Sequence, residues 1–345
     1  MGPRILIVNV NWVGDVLLST PAIRALRKKY PQAFIACLVP SRCRAILLHN
    51  PHLNEVLTFD ENRSLPAFFG NLALPAVLRQ RRFDTAILFH RSKTKAWWMR
   101  LAGIRERLGF DGGFRRHWLT KVCPRPTAPL HRADIFIRLV EYFGVPADGR
   151  TPDFVPDRGA ETALRRLFET HGLDWEKPYV TVHAGGNWAL KRWPADYFVE
   201  WIRLFLKQKP WRVILCGTDS EKPLCEDIRS HFPPEAVVSL CGETSLDTLA
   251  LLLGRAEMLL SNDSGPIHLA ASQRTKILGL FGPTDPDQTG PISEVRSILL
   301  RRDVGCKVPC YFRSCNARFC MEWLKPEEVM EEARKLMTHP PSLGH

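Results

Sequence analysis

The sequence predicts an α/β chain built from two doubly wound parallel-sheet units. Three observations carry this. Short apolar, β-branched runs alternate with helix-length stretches along nearly the whole chain. A Pro- and Gly-rich segment, Gly149-Arg150-Thr151-Pro152-Asp153-Phe154-Val155-Pro156, breaks the alternation near the middle. Each half also contains a corner where an apolar run stops at a short polar loop and a helix begins. At 345 residues with 45% hydrophobic content, the chain is long enough for two cores.

In the first half, strands are expected over 4–10, 33–39, 55–59 and 84–89. Helices are expected over 21–29, 41–49, 71–82, 94–101 and 131–143. Each strand followed by a helix is a βα unit, and repeated βα units give a parallel sheet. The segment 149–156 reads as a linker, and a helix over 159–171 follows. The second series then runs strand 178–183, helix 195–207, strand 211–216, helix 221–230, strand 236–240, helix 245–253, strand 256–260, helix 266–272 and strand 276–281. A last helix is expected over 326–337. No internal repeat or low-complexity tract is visible.

The corner in the second half is the more informative. Met258-Leu259-Leu260 reads as a buried strand, and Ser261-Asn262-Asp263-Ser264-Gly265 turns it into a helix at Pro266-Ile267-His268. Ser264 or Asp263 suits the N-cap, and Pro266 suits the first turn. Such a corner aims N–H groups and a positive dipole end at a ligand, which suits a phosphate. Asp263 would repel a phosphate and fits sugar or ribose hydroxyls instead. An ordinary capped helix is the plainer reading.

The first-half corner runs from the strand 4–10 through Asn11-Trp12-Val13-Gly14-Asp15 into Val16-Leu17-Leu18. Gly14 is a lone glycine, not a GxGxxG fingerprint. Asp15 is the first carboxylate of the chain, placed where open α/β sheets hold their ligands. Its plainer role is a helix cap. Two further loops of the second half fit the same pattern. Strand 178–183 runs into Ala184-Gly185-Gly186, where glycines let backbone donors approach a phosphate, and Lys191-Arg192 follow. Strand 211–216 ends at Cys216-Gly217-Thr218-Asp219-Ser220-Glu221, where Glu221 or Asp219 suits a ribose diol.

Charge is unevenly spread. The net charge is +12, made of +14 in residues 1–150 and −2 in the remainder. Clusters include Arg24/Arg27/Lys28/Lys29, Arg79/Arg81/Arg82, Arg91/Lys93/Lys95/Arg100 and Arg105/Arg107 with Arg115/Arg116. A basic half implies an anionic partner: nucleic acid, phosphorylated glycolipid or membrane surface. No apolar run approaches the ~18 residues of a membrane helix, and no signal peptide is expected. The ten cysteines are expected to be reduced thiols. Cys306, Cys310, Cys315 and Cys320 stand at x3, x4 and x4 spacing without the CxxC-like pair usual in zinc sites, so buried or loop thiols are the plainer reading and a zinc knuckle the alternative.

These motifs resemble those of the lipopolysaccharide heptosyltransferases of glycosyltransferase family 9. The matching segments are Trp12-Val13-Gly14-Asp15 with Thr20-Pro21-Ala22, and His183-Ala184-Gly185-Gly186 leading to Lys191-Arg192-Trp193-Pro194. Leu240-Cys241-Gly242-Glu243-Thr244, Asn262-Asp263-Ser264-Gly265 with His268, and Phe281-Gly282-Pro283-Thr284-Asp285-Pro286 complete the set. The resemblance covers nearly the whole chain, and the form of the motifs is most similar to the heptosyltransferase II branch. It implies a GT-B fold, two Rossmann-like domains facing a cleft. Residues 1–155 would form the acceptor-binding domain, 156–177 a linker and helix, 178–325 the nucleotide-sugar domain, and 326–345 a helix crossing back to the first domain.

The resemblance implies an inverting, metal-independent transfer of heptose from ADP-heptose to the phosphorylated inner core of lipopolysaccharide. It makes Asp15 the catalytic base. It makes Gly185, Gly186, Lys191, Glu221, Asp263, Ser264, Gly265 and His268 the donor side. Lys93, Lys95 and Arg105 are candidates for the anionic acceptor. No cofactor and no metal are expected. The partners implied are the nucleotide sugar, an anionic glycolipid and the inner face of the inner membrane, with the protein cytoplasmic and peripheral. Three other readings are a related transferase with another sugar nucleotide or acceptor, a basic nucleic-acid-binding protein, and a dinucleotide oxidoreductase. The nucleic-acid reading lacks interleaved aromatic and basic strand positions and leaves the second half unexplained. The oxidoreductase lacks its glycine fingerprint.

Overall fold

The structure, a computed structural model, describes residues 2–61, 65–310, 312 and 314–338. The chain divides into two compact units, Met1–Phe154 and Val155–His345. The first contains β1 (Arg4–Val8), β2 (Phe34–Pro40), β3 (Glu55–Phe59), β4 (Thr85–Leu88), β5 (Glu106–Phe110) and β6 (Lys121–Cys123), in the spatial order β3-β2-β1-β4-β5-β6. The second contains β7 (Tyr179–His183), β8 (Arg212–Leu215), β9 (Val237–Ser239), β10 (Leu259–Asn262), β11 (Ile277–Phe281) and β12 (Ser297–Arg301), in the order β12-β11-β10-β7-β8-β9. All pairings in both sheets are parallel.

Counted from the first strand of each unit, the two orders are the same doubly wound 3-2-1-4-5-6 arrangement. In such a sheet the chain order reverses between the first and fourth strands, and the crevice at their carboxyl ends is where ligands bind. That switch point lies between β1 and β4 in the first unit and between β7 and β10 in the second. The expected strands and helices are present. Three strands were not foreseen: β5, β6 and β12.

Burial explains why the central strands read so clearly. Every residue of β7, β10 and β11 is buried, as parallel strands covered on both faces must be. Val180, Val182, Leu260, Leu278 and Leu280 pack with Trp201 and Phe205. In the first unit Leu6, Val8, Ala36, Leu38 and Leu88 form the corresponding core with Leu78, Met99 and Ile104. Each such side chain, fully buried, contributes about 1.5–3 kcal/mol.

The structure bears on three expectations. The linker and helix 156–177 are not separate from the second unit, which begins at Val155; helix Ala160–Thr170 packs on helix Leu246–Arg255. Of the expected terminal segment 326–345, the helix Pro326–Thr338 packs within the second unit on helix Ala195–Leu206 and on β11 and β12, and residues 339–345 lie outside the described residues. Val329, Met330, Ala333 and Leu336 of that helix belong to the second core. The cysteines are not all thiols. Cys225, on helix Lys222–Arg229, and Cys241, just beyond β9, form a disulfide with their Cα atoms 6.6 Å apart. Their placement follows from the packing of that helix against β9.

Candidate active site

The switch point of the second unit is built around a buried asparagine. Asn262 ends β10 and is fully buried. Its amide nitrogen donates to Ala184 O (2.8 Å) and Gly185 O (3.0 Å), and its Oδ1 accepts from Trp193 N (3.0 Å). One side chain thus ties the loop after β7 to the loop that carries Lys191. A buried amide satisfied at three of its sites gives a fixed frame rather than a mobile loop.

Asp263 follows. It is 4% exposed. Its Oδ2 accepts from Lys191 Nζ and from Thr284 Oγ1, both at 2.6 Å. The two residues singled out from separate segments therefore form one ion pair. The Lys191 side chain remains 20% exposed, so it faces outward from that anchor. Ser264 caps helix Gly265–Ser272 in an extended conformation. Its side chain does not cap; it meets His183 Nδ1 at 3.2 Å. His268 is buried one turn into the helix.

Glu221 is turned inward. Its Oε1 accepts from Gly186 N (2.6 Å), and its Oε2 accepts from Thr218 N (2.8 Å) and Thr218 Oγ1 (2.9 Å), with His183 Nε2 3.5 Å away. Burial alone would raise this carboxyl. The bonds and charge from His183, and those from Thr218, outweigh it and hold Glu221 well below the usual carboxylate range. Gly185 is a glycine for the same reason: a Cβ there would stand 2.0 Å from Glu221 Oε1. Gly186, at φ +145°, occupies a conformation that side chains avoid. Asp219, the alternative to Glu221, opens the short turn Asp219–Glu221.

In the first unit, Asp15 lies in the first turn of helix Val13–Leu18, whose N-cap is Trp12. Asp15 is therefore not the cap. The preceding loop is held from three sides. Asn9 is buried, with its amide on Ser19 Oγ at 2.8 Å. Arg42 Nη2 donates to Asn11 O at 2.7 Å. Lys95 Nζ donates to Asn11 Oδ1 at 2.7 Å and sits 4.2 Å from the Phe59 ring centroid. Lys95 is 4% exposed, and burial brings its pKa down to about 7.

That geometry bears on the acceptor candidates. Lys95 is a buried support for the Asn11–Asp15 loop, not a surface cation. Arg105 precedes β5 and so lies at the amino edge of the sheet, whereas Asp15 follows the carboxyl end of β1. In parallel strands of five residues those edges are roughly 16 Å apart. Arg79, Arg81, Arg82 and Arg107 share that far region, and Arg81 is paired with Glu55 at 2.8 Å. Lys93, exposed at the start of helix Lys93–Leu101, remains on the carboxyl side.

Cys306, Cys310, Cys315 and Cys320 line one pocket with Arg301 and Arg318. Among the described residues, no three His, Cys, Asp or Glu side chains are grouped to hold a metal ion. Asp285 caps the turn Pro286–Thr289 by accepting from Asp287 N. The sequence reading gave Asn262, His183 and Thr284 no site role. For His183 and Asn262 the available signal is a polar side chain ending a buried strand; Thr284, three residues beyond β11, carries no such signal.

Two Rossmann-like parallel-sheet units in one chain, with polar loops at their switch points, give the GT-B fold. The family model Glycosyltransferase family 9 (heptosyltransferase) matches residues 72–317. The chain belongs to this family and is an enzyme of glycosyl transfer. It is 34% identical over 340 residues to lipooligosaccharide heptosyltransferase 2 of Campylobacter jejuni serotype O:6, covering 95% of this chain and 97% of that one. It is 27% identical over 309 residues to lipopolysaccharide heptosyltransferase 2 of Escherichia coli K12, covering 86% and 87%. The structure of E. coli ADP-heptose lps heptosyltransferase II superposes with a TM-score of 0.80 at 26% identity, over 97% of this chain and 98% of that one. Among the described residues, no helix is long and apolar enough to cross a membrane.

Proposed function

We propose that this enzyme transfers a heptose from ADP-heptose to the phosphorylated inner core of lipopolysaccharide, with inversion and without a metal. The observation that carries the donor side is the frame at the β7–β10 switch point. There the start of helix Gly265–Ser272, the Gly185-Gly186 loop and the Lys191 ammonium are tied together by Asn262 and Asp263. The names of the relatives supply the sugar and the glycolipid.

Lys191 stays anchored on Asp263 and offers its remaining N–H groups to the diphosphate. The N–H groups at Ser264 and Gly265 add the helix dipole, which stabilises charge on the leaving nucleotide. Glu221 has an acceptor position left on Oε1 for a ribose hydroxyl. Asp15 takes the proton of the attacking hydroxyl as general base. The acceptor is anionic, which suits the basic first unit, and the enzyme works in the cytoplasm at the inner membrane face.

Transfer is tested directly: the purified chain is incubated with ADP-heptose and a heptose-deficient, phosphorylated core acceptor, with EDTA present. Product of inverted anomeric configuration is expected. Turnover of another sugar nucleotide in preference to ADP-heptose would overturn the substrate, and loss of activity with EDTA would overturn metal independence.

A further inference from the structure

The carboxyl edge of the first sheet carries four arginines that no carboxylate among the described residues neutralises. β4, β5 and β6 are parallel neighbours, so the loops leaving them emerge side by side. Arg91 follows β4, Arg115 lies in the turn Gly113–Trp118 after β5, Arg125 follows β6, and Arg132 opens helix Arg132–Tyr142. Among the described residues none of the four forms an ion pair. The acidic groups close in sequence are otherwise engaged. Asp111 accepts from Gly113 N with its carboxylate and from Arg125 Nε with its carbonyl, and Asp134 is held by Arg150 at 2.7 Å.

Arg115 is 0% exposed. Its guanidinium lies over Gly109 of β5, where a Cβ would stand 2.5 Å from Nη2. Nη2 reaches Leu88 O at 3.4 Å, while Nε and Nη1 have no hydrogen-bond partner. A buried cation with two idle donors is costly. Burial, together with the charges of Arg91 and Arg125, lowers its pKa to about 10, and Arg125 and Arg132 act on Arg91 in the same sense. Glycine at 109 makes room for this arrangement, yet no acidic group among the described residues compensates it. An anion would supply both the missing acceptors and the missing charge.

We propose that Arg91, Arg115, Arg125 and Arg132 form a phosphate pocket and, resting on the acceptor reading above, that it takes a phosphate monoester of the acceptor. A phosphate presents three acceptor oxygens and up to two charges to several guanidinium groups, where a carboxylate presents two oxygens and one charge. The 11-residue helix opening at Arg132 adds its dipole. Arg91 is exposed and Arg132 half-buried, so the ion enters on their side and Arg115 backs the pocket.

The test uses the full chain, with Arg91→Ala and Arg132→Ala as principal variants because neither side chain is in the core, and Arg115→Gln as a third. Inorganic phosphate is titrated by calorimetry, and ADP is titrated in parallel. At least tenfold weaker phosphate binding is expected in the first two variants, with ADP affinity unchanged. Phosphate affinity unchanged in both overturns the pocket. Acceptor KM is then measured before and after phosphatase treatment of the acceptor. The wild type should prefer the phosphorylated form, and Arg91→Ala should lose that preference. Weakened phosphate binding with the preference intact overturns assignment of the pocket to the acceptor and leaves free phosphate as its ligand. Absence of turnover with either acceptor counts against the transfer reading alone, because the phosphate titration needs no acceptor.

Discussion

The two units share one strand order and treat polar groups at their switch points in opposite ways. In the second unit the charged groups around the β7–β10 switch point are held within the protein: Lys191 by Asp263, Arg192 by the carbonyl of Gly186, and Glu221, from the loop after β8, by Gly186, Thr218 and His183. In the first unit the corresponding edge holds Asp15 on a braced loop and arginines left without counter-ions. The topology sets where a ligand can sit. The pairing sets what it is: a preformed frame suits a constant nucleotide, and an unneutralised edge suits a substrate that brings its own negative charge.

The largest break in this comparison should come from Asp15. As general base, Asp15→Asn is expected to lower turnover about 10²–10⁴-fold. Loss of a first-turn carboxylate costs the helix only about 0.3–1 kcal/mol, so donor affinity and melting temperature should barely move. Turnover within threefold of wild type, measured at steady state, would remove Asp15 from the chemistry.

The frame of the second unit should fail differently. Lys191→Ala leaves the Asp263 carboxylate, 5% exposed, without its cation. Breaking a buried pair costs about 3–5 kcal/mol, and the partial exposure of Lys191 places the effect near the lower end. Donor affinity should fall with stability. The double variant Lys191→Ala/Asp263→Asn should recover part of the stability and none of the affinity. Denaturant melts beside calorimetric ADP titrations separate the two, and equal recovery of both would reduce Lys191 to a structural role.

How much of this the sequence disclosed varies along the chain for physical reasons. β7, β10 and β11 are buried on both faces and start as apolar or β-branched runs, so the strands and the polar loops that follow them are legible in the sequence. β5, Glu106-Arg107-Leu108-Gly109-Phe110, begins with two charges and contains a glycine, and read as basic surface. Missing β5 hid which edge of the sheet each arginine belongs to. Arg105 therefore reads in the sequence as an acceptor candidate although it precedes the strand, and Arg115 reads as one more surface charge. Asp263 and Lys191 each stand out in the sequence as candidates for the site. Their mutual contact was not, because 72 residues separate them and only the adjacency of β7 and β10 closes that distance.

A smaller effect concerns Glu221, whose folded pKa is depressed. The sign follows from proton binding. Above the unfolded carboxylate pKa of about 4.3 the stabilisation is complete, and it is lost as pH falls from there through the folded value. Glu221→Gln should therefore be less stable than wild type at pH 7, with the gap narrowing below about pH 4. Thermal melts of both proteins from pH 3 to 7 give the curve. A gap that does not change with pH would mean that shape, not charge, is what Gly186 and Thr218 require.

The last effect, the smallest on turnover, tests the brace in the first unit. Burial lowers the pKa of Lys95 to about 7 in the folded protein, against about 10.4 in the unfolded chain. Between those values the unfolded chain holds the extra proton, so stability should rise with pH, by at most about 1.4 kcal/mol per unit. Below pH 7 both states are protonated and the slope vanishes. Lys95→Met keeps the apolar stem against Phe59 and removes the titrating group, so its stability should stay flat from pH 7 to 10 relative to wild type. It also releases Asn11, and turnover should fall modestly while KM for the donor holds, since the donor frame lies in the other unit. Parallel pH–stability curves for the two proteins would show that Lys95 titrates outside this range, and a donor KM that moves with turnover would show that the Asn11 loop serves the nucleotide rather than Asp15.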